Sequence, residues 1–86
     1  MTTETTTSMT IVVNDEQRTV PADTTCRSLV AQITGRDVGA DGRPTRGLGL
    51  GVAVAVGGSL VPRARWDATV LHDGDSVEIV TAVQGG

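Results

Sequence analysis

The chain has 86 residues with one tryptophan and no phenylalanine or tyrosine, so it makes one small domain with a core of valine, leucine, isoleucine and alanine. Ten acidic residues against seven arginines give a formal charge of −3, which argues against the basic surface that nucleic acid or an anionic membrane selects. One cysteine, Cys26, leaves no internal disulfide and fits a reducing compartment. Lysine is absent, so the chain cannot polymerise through its own lysine side chains. The start, Met1-Thr2-Thr3-Glu4, carries no basic residue or apolar stretch and does not read as a secretion signal. No apolar run approaches the roughly 20 residues of a membrane span. The expected location is cytoplasmic.

Residues 1–8 are polar and repetitive and read as a disordered N-terminal tail ahead of a domain over 9–83. Met9 to Asn14 is rich in β-branched residues and predicts a strand. Asn14-Asp15-Glu16 suits a turn, and Gln17 to Val20 a second strand that Pro21 ends. Thr24 or Thr25 can cap a helix in which Cys26, Leu29, Val30 and Ile33 form an apolar stripe, with Gly35 closing it. Residues 36–46 are charged, contain glycine and proline, lack periodicity, and read as a loop. Gly51 to Val56 predicts a buried strand, Gly57-Gly58 a tight hairpin, and Ser59 to Val61 a short strand stopped by Pro62. Arg63 to Leu71 reads as irregular or a single helical turn, His72 to Asp75 as a turn, and Ser76 to Val83 as the last strand. The order β-β-α-β-β-β, with one main helix over a mixed sheet of four to five strands, is the α+β layout of the β-grasp, or ubiquitin-like, fold.

Along the last strand, period-2 alternation turns Val77 and Ile79 inward and Glu78, Val80 and Ala82 outward. Val80 and Ala82 are therefore candidate partner-binding positions. Beyond them, Gln84-Gly85-Gly86 reads as a flexible tail, because glycine carries no Cβ and is thin enough for a narrow cleft. A diglycine end behind an anchored strand suits a carrier whose chemistry takes place at the Gly86 carboxylate; the plainer reading is a frayed terminus.

No other residue pattern offers an active site. Cys26 lies on the helix stripe and reads as a buried structural thiol. His72, the single histidine, cannot make a zinc site alone and reads as a solvated loop residue. Asp73-Gly74-Asp75 lacks the further oxygen ligands of a calcium loop and reads as a turn. Gly47-Leu48-Gly49-Leu50-Gly51-Val52 places valine where a dinucleotide fingerprint needs its third glycine, and it precedes a strand instead of a helix. Trp66 reads as a lid over the core, and Arg63 and Arg65 as solvated charges.

Three segments together resemble the sulfur carrier family of the thiamine pathway, ThiS. Val52-Ala53-Val54-Ala55-Val56-Gly57-Gly58 resembles that family's buried strand and turn, with Gly57 where asparagine is frequent. Leu60-Val61-Pro62-Arg63-Ala64-Arg65-Trp66 resembles its Val-Pro-Arg…Trp segment, and Leu71 to Gly86 its final block from the Gly-Asp turn to the diglycine. The related molybdopterin carriers tend to have prolines where this chain has Val80-Thr81-Ala82, which favours the thiamine branch. The resemblance implies a carrier that is not itself an enzyme and binds no cofactor. An E1-like adenylating enzyme, using ATP and magnesium, would activate Gly86. A sulfur donor protein would then convert it to a thiocarboxylate for thiazole synthase. Gly85, Gln84, Val83, Ala82 and Val80 would be the tail and partner-binding residues. Supply of molybdopterin or cysteine synthesis, or conjugation to other proteins as a ubiquitin-like modifier through Gly86, are the alternatives.

Overall fold

A computed structural model describes residues 7–42 and 51–81. Five strands and one α-helix form in the order β1 (Ser8–Val13), β2 (Glu16–Pro21), α1 (Cys26–Thr34), β3 (Val52–Val56), β4 (Ser59–Val61) and β5 (Ser76–Thr81), with a 3₁₀ helix at Arg63–Ala68 before β5. The sheet order is β2-β1-β5-β3-β4. The first and last strands thus lie side by side in the middle, parallel, with an antiparallel hairpin hung on each flank.

Local chemistry accounts for most of these elements. The β1–β2 hairpin closes on Asn14 and Asp15 at φ 52° and 70°, and the β3–β4 hairpin on Gly57 and Gly58 at φ 59° and 84°. Two consecutive left-handed residues match the twist of the flanking strands. Of the two threonines that could cap α1, Thr25 does so: its hydroxyl accepts the Ser28 N–H at 3.1 Å, while the Ser28 hydroxyl accepts the Thr25 N–H. Thr24 is instead buried, its hydroxyl donating to the Pro21 carbonyl at 2.6 Å. Gly35, at φ 72°, ends the helix and returns its N–H to the Ala31 carbonyl.

The helix packs Cys26, Leu29 and Val30 against Met9, Ile11, Val13, Val54, Val77 and Ile79 of the sheet; Ile33, on the same stripe, is only half-buried. Several boundaries differ from the sequence expectation. Strand β1 begins at Ser8, which pairs with Pro21, so the strand takes in the last residue assigned to the N-terminal tail. Strand β3 starts at Val52, because Gly51 sits at φ 61°. The expected extension of the last strand to Ala82 and Val83 lies outside the described residues. Trp66 is a member of the core, 1% exposed, and not a lid over it. The 3₁₀ helix turns its ring inward, and its Nε1–H donates to the Val61 carbonyl at 3.0 Å.

The segment read as a featureless loop is tied down where it is described. Val38 is 5% exposed and joins the core, and the Arg27 Nε–H donates to its carbonyl at 2.7 Å. Arg63, expected to be solvated, ties Gly42, within the segment between the helix and β3, to Val52 at the start of β3. Its guanidinium donates to the Gly42 carbonyl at 3.0 Å and to the Val52 carbonyl at 3.2 Å, and it lies 5.1 Å from the centre of the Trp66 ring. Continuing the β3–β4 register by two residues would set Val52 opposite Arg63. Pro62 and the 3₁₀ helix divert the backbone there, and the side chain supplies the hydrogen bond instead.

Leu29→Ala should lower unfolding free energy by about 2–5 kcal/mol, since the side chain is wholly enclosed. An unchanged denaturation midpoint would show that α1 does not pack through this face. Gly42→Ala should cost about 1–3 kcal/mol or more. Gly42 lies at φ 80°, and an added Cβ would fall 2.6 Å from the Arg63 carbonyl oxygen. Wild-type stability in that variant would contradict the close approach of Gly42 to Arg63.

Candidate functional site

Strand β5 carries the segment that leads to Gly86, and its position is set at its start by the turn before it. The Asp73 carboxylate accepts the Thr10 N–H at 2.9 Å, and the Gly74 N–H donates to the Thr10 carbonyl at 2.8 Å. The Asp75 carboxylate accepts the His72 N–H at 2.8 Å. Both carboxylates are therefore engaged by backbone amides, in agreement with reading this stretch as a turn. The Val12 N–H then donates to the Asp75 carbonyl at 2.9 Å, which opens the parallel pairing of β1 with β5.

Along β5 the expected alternation is present: Val77 and Ile79 are buried, and Glu78 and Val80 are exposed. Val80 is 64% exposed and stands directly opposite Ala53 of β3. Ala55 pairs with Glu78 on one side and with Leu60 of β4 on the other, so these side chains share the face turned away from α1. Leu60 is 69% exposed. Val80, Ala53, Ala55 and Leu60 thus form an apolar strip across three strands, with Glu78 in its second row. Leu60 was not singled out from the sequence; the available signal was a large apolar residue in a three-residue strand opposite an outward alanine.

Of the tail residues expected to act, Val80 is placed on this strip. Ala82, Val83, Gln84, Gly85 and Gly86 lie outside the described residues, though they follow Thr81, the last described residue of β5, directly in sequence. The groups set aside for chemistry behave accordingly. Cys26 is fully enclosed, and burial, reinforced by the Asp75 charge, pushes its thiol up from 9.0 to about 11. A protonated thiol without solvent access is neither nucleophile nor sulfur relay. His72 is exposed, with its Nδ1 3.8 Å from the Asp75 carboxylate.

A five-stranded mixed sheet crossed by one main helix, its first and last strands paired in parallel at the centre, defines a ubiquitin-like β-grasp protein. The ThiS family model matches residues 6–86, and the chain belongs to the ThiS family. That membership supports a sulfur-carrier role in thiamine biosynthesis. Among solved structures, the chain is similar to the thiamine biosynthesis protein ThiS of Geobacter metallireducens, at 25% identity and a TM-score of 0.57, over 91% of this chain and 100% of that one. No curated protein matches the chain.

The thiol shift carries a sign for stability. Well below pH 9 the folded and unfolded chains both hold the Cys26 proton; as pH rises through 9.0 toward about 11 the unfolded chain releases it first. Stability should therefore fall as pH rises through that window, and the Cys26→Ala variant should lack this part of the decline. Denaturant midpoints measured across that range for both chains check it; parallel declines would contradict the buried, protonated thiol.

Proposed function

We propose that this chain is a sulfur carrier that works through the carboxylate of Gly86. In this reading an E1-like partner uses ATP and magnesium to convert the Gly86 carboxylate into an acyl-adenylate, releasing pyrophosphate. A free carboxylate resists attack because its charge is delocalised, and adenylation supplies AMP as a leaving group. The terminal sulfur of a persulfide on a donor protein then displaces AMP to give an acyl disulfide, and a thiol reductant cleaves its S–S bond to leave a thiocarboxylate, nucleophilic at sulfur, which thiazole synthase consumes. The carrier contributes presentation and no bond-breaking group of its own. ATP and magnesium belong to the partner.

The observation that carries this reading is the apolar strip that ends at the strand bearing the tail. Val80 belongs to the strip and lies six residues before Gly86. A partner docked on Val80, Ala53, Ala55 and Leu60 would therefore receive the tail at the edge of its own contact surface. The five residues after Thr81 span up to about 17 Å when extended, enough to enter a catalytic cleft beside that contact. Gly85 and Gly86 supply the narrowness such a channel requires. Family membership supports the thiamine branch over the molybdopterin and cysteine alternatives.

Intact-protein mass spectrometry after incubation with the activating enzyme, ATP and a sulfur source tests the reading. The expected gain corresponds to one oxygen replaced by sulfur and maps to the C-terminal peptide. Deletion of Gly86, or a C-terminal extension, should abolish that gain while leaving the folded core intact. Equal modification of the Gly86-deleted chain would overturn the proposal, and an isopeptide ladder in lysates would favour the modifier alternative.

A further inference from the structure

Backbone pairing between β1 and β5 covers only Val12 and Val13 against Ser76 and Val77. Beyond that point β1 turns away into its hairpin, while β5 continues to Thr81. The next residue, Asn14, bridges the gap. Its N–H donates to the Val77 carbonyl at 2.9 Å. Its side-chain amide then works in both directions on Ile79: Nδ2–H donates to the Ile79 carbonyl at 3.0 Å, and Oδ1 accepts the Ile79 N–H at 2.9 Å.

The other flank does not serve these two groups. The Gly57 N–H donates to the Ser76 carbonyl at 2.8 Å, which fixes the alternation of the β3–β5 ladder. By that alternation Glu78 and Val80 bond to β3, and the Ile79 N–H and carbonyl point to the side that β1 has left. The Asn14 amide stands in for the missing peptide of β1.

We propose that Asn14 is a positioning residue for activation of the tail: its side chain holds β5 in line to Ile79 and so fixes the direction in which the C-terminal segment leaves the domain. The assignment rests on the carrier reading. Asparagine suits the position because it tolerates the left-handed φ of 52° and carries a donor and an acceptor at peptide-like reach. The two demands separate on substitution. Glycine meets the turn at least as well but has no amide. Aspartate keeps an acceptor for the Ile79 N–H but loses the donor and sets a carboxylate oxygen against the Ile79 carbonyl. A turn role alone ranks Asn14→Gly with or above wild type, whereas a bracing role ranks it last.

The experiment uses the full chain as wild type, Asn14→Gly and Asn14→Asp. Two readouts are taken: amide hydrogen exchange by NMR, and steady-state adenylation by the activating enzyme. In Asn14→Gly, the Ile79 amide should exchange markedly faster while those of Glu78 and Val80, bonded to β3, keep their protection. Its kcat/KM for adenylation should fall about tenfold and its melting temperature by a few degrees, as the loss of two modest hydrogen bonds requires, with the chain still folded at the assay temperature. Asn14→Asp should lie between in both readouts. An unchanged Ile79 amide, or an unimpaired kcat/KM in Asn14→Gly beside an active wild type, would overturn the role of Asn14 alone. A wild-type chain that is not adenylated would overturn the carrier reading, and the exchange data would still report whether Asn14 braces the strand.

Discussion

The parallel contact between the first strand and the last is the constraint on which the molecule depends. A parallel pair cannot be closed by a tight turn and needs a long crossover between its members. Here Val12 and Ser76 meet across most of the chain, joined by the helix, the second hairpin and the 3₁₀ helix. The backbone register is short, and side chains extend it at both ends: Asp73 on the Thr10 amide at the start, and Asn14 on Ile79 at the finish. Once these strands are joined, each hairpin has a neighbour to pair with, and α1 has a continuous apolar face to cover. The sheet centre is also the strand that Gly86 follows in sequence, so the element that organises the core is the one that would present the tail in the proposed role.

The same arrangement fits the proposed role, in which the domain works through surface and terminus. Its one thiol serves as core filling and stays protonated through the neutral range. Its turn carboxylates are spent on backbone amides, and Arg63 is spent on the Gly42 and Val52 carbonyls and the Trp66 ring. Among the described residues, no buried side-chain polar atom lacks a hydrogen-bond partner. The two most exposed large hydrophobic side chains among the described residues, Leu60 and Val80, stand on the face of the sheet opposite α1.

How much of this was legible in the sequence follows from the range of each interaction. Turn residues, the helix cap and the alternation along β5 are local, so Gly57-Gly58, a cap at Thr24 or Thr25, Gly35 and the outward Val80 could be read from neighbours a few positions away. The features that escaped are single residues whose meaning lies far along the chain. Val38 is one apolar residue in a polar stretch, with no period to announce its burial. Gly42 and Arg63 matter to one another across 21 positions, and Asn14 to Ile79 across 65. Trp66 reads as a lid over the core in the sequence because a six-residue 3₁₀ helix gives no stripe from which an inward direction can be taken. The open-face strip is half visible there, through Val80, because Leu60 belongs to a strand too short to show alternation.

The exposed face of β5, β3 and β4, on the strand that the tail follows in sequence, is central to the proposed role as the surface the activating enzyme engages. An NMR titration of isotope-labelled chain with that enzyme and ATP tests it most directly. Amide shifts and line broadening should concentrate at Ala53, Ala55, Leu60 and Val80 and run on through Gly86, while Cys26 to Thr34 on the opposite face stay unperturbed. Perturbation centred on α1, or binding that leaves Leu60 and Val80 unchanged, would contradict it.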